Sequence, residues 1–344
     1  MSGFELEVNA DRWRTGLAAV AARTPGLVPV IKGNGYGLGR DLLAREAMTL
    51  GASSIAVGTY DEVPGALAAF DGDVMVMTPW RPFFSDVVLD ERVIHTLGRV
   101  SDIVELAAIA PTARILLEGE TSMARHGLDR HELAAAVAAL GDLRVEGFAI
   151  HLPMAGGNYA EAENWAAALD TSQVETTTFY VSHLTSSEVA ALAVRRPHLD
   201  IRPRIGTSLW LGDLGALSVR ARVLDTHLVA RGERIGYRQR GMPRDGTLLV
   251  IAGGTSHGIG LEAPKATSGV VGRGKSLAKG GLEAAGLSLS PFTIAGKQRW
   301  FAEPPHMQAS MIFLPGRAEA PAVGDSVDVA VRYTTATFDA ITLL

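Results

Sequence analysis

Val28-Pro29-Val30-Ile31-Lys32 runs straight into Gly33-Asn34-Gly35-Tyr36-Gly37-Leu38-Gly39, and an Ala- and Leu-containing stretch follows at residues 41–50. The first five residues are a short, mostly β-branched run that ends in a lysine. Such a run reads as a strand covered on both faces, as in a parallel sheet. The glycines read as a loop, and the spacing of apolar residues after them reads as a helix. The same strand–loop–helix unit recurs, with further apolar runs at residues 54–57, 74–77, 92–95, 114–118, 147–151, 178–182 and 205–209. Helical spacing returns between them at 102–110, 130–140 and 160–169, and Ser186 or Ser187 is placed to cap a helix ahead of Val189-Ala190-Ala191-Leu192. Eight strands alternating with helices predict a (β/α)8 TIM-type barrel rather than an open doubly wound sheet.

The pattern changes near Arg220. Short strands are predicted at 223–228, 234–237, 247–252, 310–314 and 326–331, separated by Gly and Pro turns without helical spacing. That is the pattern of a C-terminal, mainly antiparallel β domain. Residues 265–289 are rich in Gly, Ser and Lys and read as a surface loop. The expected division is therefore a barrel over 1–220 and a β domain over 221–344.

Composition narrows the function. The chain has 344 residues and a formal net charge of −5, so it lacks the basic surface of a nucleic-acid binder. It contains no cysteine, which excludes disulfides, thiolate nucleophiles and cysteine-ligated metals. No apolar run approaches a membrane span, and the acidic start Phe4-Glu5-Leu6-Glu7 lacks the features of a signal peptide. A cytoplasmic protein is expected.

Lys32 carries the most chemical information. Strand C-termini face the active site of a barrel, and a half-buried lysine there has a depressed pKa and an accessible neutral amine. By position alone, a lysine snorkelling from a strand end fits as well.

The Lys32-x-x-x-Tyr36-Gly37-x-Gly39 segment resembles the pyridoxal-phosphate lysine motif of the alanine racemase family. That family combines a (β/α)8 barrel with a β domain, the organisation read above. The resemblance implies that Lys32 holds the cofactor as a Schiff base and acts as the base on one face, with Tyr36 near the cofactor phosphate. Thr121-Ser122-Met123-Ala124-Arg125-His126-Gly127 is similar to the family segment whose arginine, here Arg125, lies near the phenolic oxygen. His151 matches the histidine beside the cofactor ring. His183-Leu184-Thr185-Ser186-Ser187 puts Ser187 at the phosphate. Arg204-Ile205-Gly206-Thr207 puts Arg204 at the pyridine nitrogen, with Gly206 and Thr207 offering backbone N–H groups to the phosphate; Arg202 is the fallback. Where the family often has a lysine, sometimes carbamylated, this chain has Glu118, which is expected to pair with Arg125.

The resemblance breaks at the second base. The family's Gly-Tyr-x-Asp-Gly segment corresponds to Gly253-Gly254-Thr255-Ser256-His257, with Gly254 at the tyrosine position. A gap is expected there, with His257 as the substitute proton carrier and His306 behind it. Phe338 replaces a tyrosine near the C-terminus. The resemblance thus implies a pyridoxal-phosphate-dependent amino-acid racemase or epimerase with an atypical second base. It further implies a homodimer with shared sites and no metal. A lyase of the same fold acting on a D-amino acid, or a catalytically altered homologue that still binds the cofactor, are the alternatives.

Overall fold

The computed structural model describes residues 3–84, 89–261, 288–316 and 318–344. The chain forms two compact units. One joins Met1–Trp13 to Asp213–Leu344, and the other is Arg14–Gly212.

The unit Arg14–Gly212 holds a parallel barrel. With β1 (Phe4–Val8) counted first along the chain, its strands are β2 (Val28–Pro29), β3 (Ser54–Val57), β4 (Asp73–Val76), β5 (Val93–Leu97), β6 (Arg114–Gly119), β7 (Arg144–Ile150), β8 (Thr178–Val181) and β9 (Asp200–Ile205). They pair in the order β2-β9-β8-β7-β6-β5-β4-β3, and a parallel bridge from Val30 to Ala56 closes the ring. Alternate residues point inward. Val28, Val30, Ala56, Met75, Ile94, Leu116, Ala149 and Tyr180 fill the interior as one buried cluster. Two residues further along, the rows of Val30, Leu116 and Ala149 reach Lys32, Glu118 and His151, and buried Arg204 stands on β9 opposite Val28, so polar side chains follow the apolar ones towards the C-terminal ends. The helices that the spacing predicted appear as α2 (Arg40–Thr49), α4 (Val100–Ile109), α5 (Leu133–Ala138), α6 (Asn158–Thr171) and α7 (Ser186–Arg195), and the spacing had not singled out α1 (Ala10–Ala22), α3 (Val63–Ala69) and α8 (Thr207–Trp210).

Two local expectations are corrected. The last barrel strand is β9 at Asp200–Ile205, not 205–209, because the chain turns at Gly206 into the short helix α8. α7 is capped by Thr185, not by a serine. The Thr185 hydroxyl accepts from Glu188 N–H at 3.2 Å, and the Glu188 carboxylate accepts from Thr185 N–H at 2.7 Å. This reciprocal capping box satisfies two otherwise orphaned donors.

The second unit is an eight-stranded sheet with mostly antiparallel pairing. β10 (Leu217–Val229) pairs with β1, with β13 (Gly246–Ala252) and with β17 (Ser326–Val329). β14 (Leu289–Ile294), β15 (Lys297–Phe301) and β16 (Ala309–Pro315) complete the order, and β18 (Ala340–Leu343) runs parallel to β1. A separate two-stranded ribbon joins β11 (Arg234–Ile235) to β12 (Arg240–Gly241). The sequence boundary put residues 1–220 in the barrel. Instead β1 lies in the β unit, because Phe4, Leu6 and Val8 are fully buried there and their backbone is hydrogen-bonded to β10 on one side and β18 on the other. Of the predicted surface loop at 265–289, residues 265–287 lie outside the described residues, whereas Leu289 opens β14.

Candidate active site

The loop after β2 is built from left-handed turns. Gly33, Gly35, Tyr36, Gly37 and Gly39 all have positive φ, and Tyr36 adopts φ 55° at a strain cost of about 1 kcal/mol or more. A side chain at Gly35 is impossible, since its Cβ would stand 2.6 Å from the Arg40 backbone nitrogen. The tight path turns the Tyr36 ring back into the protein, where only 6% of the residue is exposed. Its hydroxyl lies against Gly206, so closely that a Cβ there would sit 1.8 Å from Oη. Tyr36 and the Gly206–Thr207 turn, 170 residues apart in sequence, are thus brought together at the start of α8. Burial, and secondarily the Glu62 charge, push the Tyr36 phenol up to about 12.

Lys32 is half-buried beside them. Desolvation and the positive charges of Arg125 and Arg204 hold its amine below the usual lysine range, while Glu62 acts in the opposite direction. Arg204 is buried at 5% exposure and donates from one Nη to Ile150 O at 3.0 Å, but its Nε has no partner. Glu118, 2% exposed, leaves Oε2 without a partner, and His151 leaves Nδ1 without one. Burial pushes the Glu118 carboxyl up to about 7 against the pull of Arg204, Arg125 and Arg81. Burial and the same two arginines, Arg204 and Arg125, push the His151 imidazole down to about 3. The neighbouring His183 ring meets it edge-on at 5.4 Å. Three unpartnered buried polar atoms in one shell are unusual, because such atoms normally find partners. Together with Lys32, Arg125 and Arg204, they form a cationic cradle whose hydrogen bonds await an anionic, polar ligand. That chemistry fits pyridoxal phosphate.

Arg125 and Ser187 lie at the rim. Arg125 is exposed, and its charge acts on Lys32, His151, Glu118 and Arg204. It forms no ion pair with Glu118 among the described residues, so the expected pairing is corrected. Glu118 sits inside the barrel wall, while Arg125 sits on the loop beyond β6. Ser187 is exposed in the first turn of α7, with Oγ 3.1 Å from Thr185 Oγ1. Arg202 bonds to Asp200 at 2.8 Å, two residues from Arg204 towards the start of the strand, and has no part in the cradle.

The residues expected to replace the second base lie in the β unit. Gly254 leaves no gap: a Cβ there would stand 2.2 Å from His306 O and 2.5 Å from Met307 O. The close passage of the 306–307 backbone excludes any side chain. His257 has both ring nitrogens engaged. Nδ1 accepts from Gly254 N–H at 3.2 Å, and Nε2 lies 3.1 Å from Asp339 Oδ1. His306 Nε2 lies 2.5 Å from the buried Glu303 Oε1, under the exposed Tyr237 ring at 4.6 Å. Phe338 stacks on Phe4 at 5.5 Å. Among the described residues, no group of three or more His, Asp or Glu side chains is placed to hold a metal, and no helix is long and apolar enough to cross a membrane.

Glu62 escaped the sequence reading. It ends a short turn after β3 and is 8% exposed. The only signal was a single acidic residue a few positions beyond a strand-end glycine, which is too common to single out.

Comparison with known proteins gives the same outline. Residues 8–213 match the family model described as alanine racemase, N-terminal domain. The alanine racemase of Mycobacterium tuberculosis (strain ATCC 25618 / H37Rv) is 26% identical over 263 residues, which cover 68% of this chain and 67% of that protein. The structure of alanine racemase from Bartonella henselae with covalently bound pyridoxal phosphate superposes with a TM-score of 0.71 at 17% identity, over 96% of this chain and 91% of that one. Histidine racemase from Leuconostoc mesenteroides gives 0.66 at 18% identity, over 95% and 88%. At these identities, the two structures speak for the fold.

Proposed function

Because the chain belongs to the alanine racemase family, we propose that it is a pyridoxal-phosphate-dependent amino-acid racemase in which Lys32 holds the cofactor and serves as the base on one face. The observation that carries this reading is the cradle: a lysine of lowered pKa among buried polar atoms of Glu118, His151 and Arg204 that lack partners. When bound, pyridoxal phosphate supplies an electron sink that makes the substrate's α-hydrogen acidic. The remaining work falls to this chain. The Tyr36 hydroxyl, the Gly206 and Thr207 N–H groups and Ser187 bind the phosphate. Arg204 would hold the pyridine nitrogen; an arginine stays protonated, so it would keep that nitrogen without a proton. His151, held neutral, would sit beside the ring. Arg125 would serve the phenolic oxygen from the rim. Lys32 Nζ takes and returns the α-proton on its own face.

The opposite face needs a second proton carrier, and a homodimer in which the β unit completes the partner's site would provide it. His257 was the first candidate by sequence. Its ring hydrogen bonds to Gly254, Ser256 and Asp339 would have to open before it could act, whereas among the described residues His306 keeps Nδ1 unengaged beside its Glu303 partner. That favours His306 for the role.

The test is to saturate the protein with pyridoxal phosphate, reduce it with borohydride and map the label. A D- and L-amino-acid screen for α-hydrogen exchange in deuterated water then follows. The label should fall on Lys32, and exchange should identify the substrate. A label on another lysine, or no uptake, would overturn the reading. Mixing Lys32→Ala chains with chains disabled in the β unit should recover up to about a quarter of the activity by random pairing into shared sites.

A further inference from the structure

Glu62 bridges two backbone segments beneath Lys32. Its Oε1 accepts from Gly33 N–H at 2.7 Å, and its Oε2 accepts from Gly58 N–H at 2.6 Å. Gly33 follows Lys32 directly, and its carbonyl accepts from Arg40 Nη1 at 2.6 Å. The glycine next to the lysine is therefore pinned on both sides, by an anion on its N–H and by a cation on its C=O. Gly58 gives the bridge room. A Cβ at that position would stand 3.0 Å from Lys32 Cβ and 3.3 Å from Glu62 Oε2. The lysine stem, Gly58 and the carboxylate are thus stacked in contact, and charge-assisted bonds to two backbone donors fix the carboxylate.

We propose that Glu62 is a positioning residue for Lys32: its carboxylate ties the backbone after the lysine to Gly58 and holds a negative charge against the lysine stem. The inference rests on the functional reading above. Arg125 and Arg204 face Nζ and favour the neutral amine, Glu62 favours the ammonium, and His151 and His183 feel the lysine's charge in turn. An amine poised between these influences can change protonation in both directions, as a group that takes and returns a proton must. Without Glu62 the arginines act unopposed, and Nζ becomes a weaker base.

The experiment compares wild type with Glu62→Gln, Glu62→Asp and Glu62→Ala. Cofactor-free protein is treated with trace dinitrofluorobenzene across pH, and the Lys32 peptide is quantified by mass spectrometry. Only the neutral amine reacts, so below the midpoint the rate rises about tenfold for each pH unit by which the pKa falls. Glu62→Gln should label Lys32 about threefold or more faster at fixed pH, with the profile shifted to lower pH. Glu62→Asp keeps the charge and should lie closer to wild type. Thermal melts of each variant report any loss of fold, and Glu62→Ala shows how much of the effect is loss of the bridge. An unchanged Lys32 profile in a folded Glu62→Gln protein would overturn the proposal, as would the same shift in Glu62→Asp. Failure of wild-type Lys32 to take up pyridoxal phosphate would overturn the functional reading instead, and borohydride mapping on the same preparation separates the two.

Discussion

The mouth of the barrel and the loop cluster of the β unit are both rich in polar groups, but they treat them in opposite ways. Around Lys32, buried atoms of Glu118, His151 and Arg204 lack partners, and the ionisable groups are displaced from their ordinary pKa values. Around Gly254, the polar groups are paired inside the fold: His257 between Gly254 N–H and Asp339, Ser310 on Gly253 O, and His306 on Glu303. An unsatisfied buried group costs roughly 1–3 kcal/mol, and several around one lysine of lowered pKa point to a ligand that repays the cost. The contrast teaches where binding is built in. The barrel mouth leaves several buried polar atoms open, and the Gly254 cluster pairs its groups internally but leaves His306 Nδ1 unengaged among the described residues.

Breaking the barrel side should have the largest effect. Lys32→Ala should abolish covalent retention of pyridoxal phosphate, seen as loss of borohydride-fixed label. Undiminished labelling would show that the cradle serves another lysine.

The next largest effect is on stability. The folded Glu118 carboxyl titrates near 7 against an ordinary 4.5, so between these values the folded protein holds a proton that the unfolded chain has released. Stability from this group is fully present below about pH 4.5 and is lost as pH rises through 7. Glu118→Gln removes that loss. Relative to wild type, the cofactor-free variant should gain on the order of 3 kcal/mol between pH 4.5 and pH 8 in urea unfolding. A gap that stays constant across pH would mean that Glu118 is ionised at no cost. His151 works in the other direction. Its folded value near 3 means that stability falls as pH drops below the ordinary 6.5, so acid unfolding should begin earlier than in His151→Gln.

On the β side, Gly254→Tyr tests whether the loop is as full as it looks. Forcing a side chain against the 306–307 backbone should cost about 2 kcal/mol or more and should not create racemisation. A stable, more active variant would show that the backbone there yields.

The smallest effect is expected from His257→Ala. Loss of its ring hydrogen bonds to Gly254, Ser256 and Asp339 and of its 5.0 Å contact with the Phe4 ring should lower stability by about 1–2 kcal/mol, read as a lower Tm, and leave cofactor uptake by Lys32 unchanged. Loss of uptake would mean that the β cluster supports the cradle.

Much of this architecture was legible because parallel barrel strands are continuous apolar runs. β3 to β8 fall where the runs fall. β9 was displaced because Arg202, Pro203 and Arg204 interrupt its apolar pattern, while the turn after it looks more strand-like than the strand. β14 and β15 went unread beside the predicted loop, and β1 was not read as a strand, since its pairing over two hundred residues leaves no local trace. In the site, Lys32 stood out by its place at a strand end, and Tyr36 and Arg204 through their resemblance to family segments. Glu62 did not, because its function lies in two backbone donors that no side-chain pattern encodes. The gap at Gly254 was inferred from a missing side chain, and the sequence could not say that another segment's backbone takes the space.

β1 has one more consequence, for synthesis. Its antiparallel partner β10 begins at Leu217, so the residues of an entire barrel are made in the interval. At 5–20 residues per second, Phe4, Leu6 and Val8 wait about 10–40 s on the ribosome before the strand that covers them exists. During that time, a short apolar segment with two open edges travels ahead of a barrel that is still being made, so β1 is paired only after all the barrel strands exist.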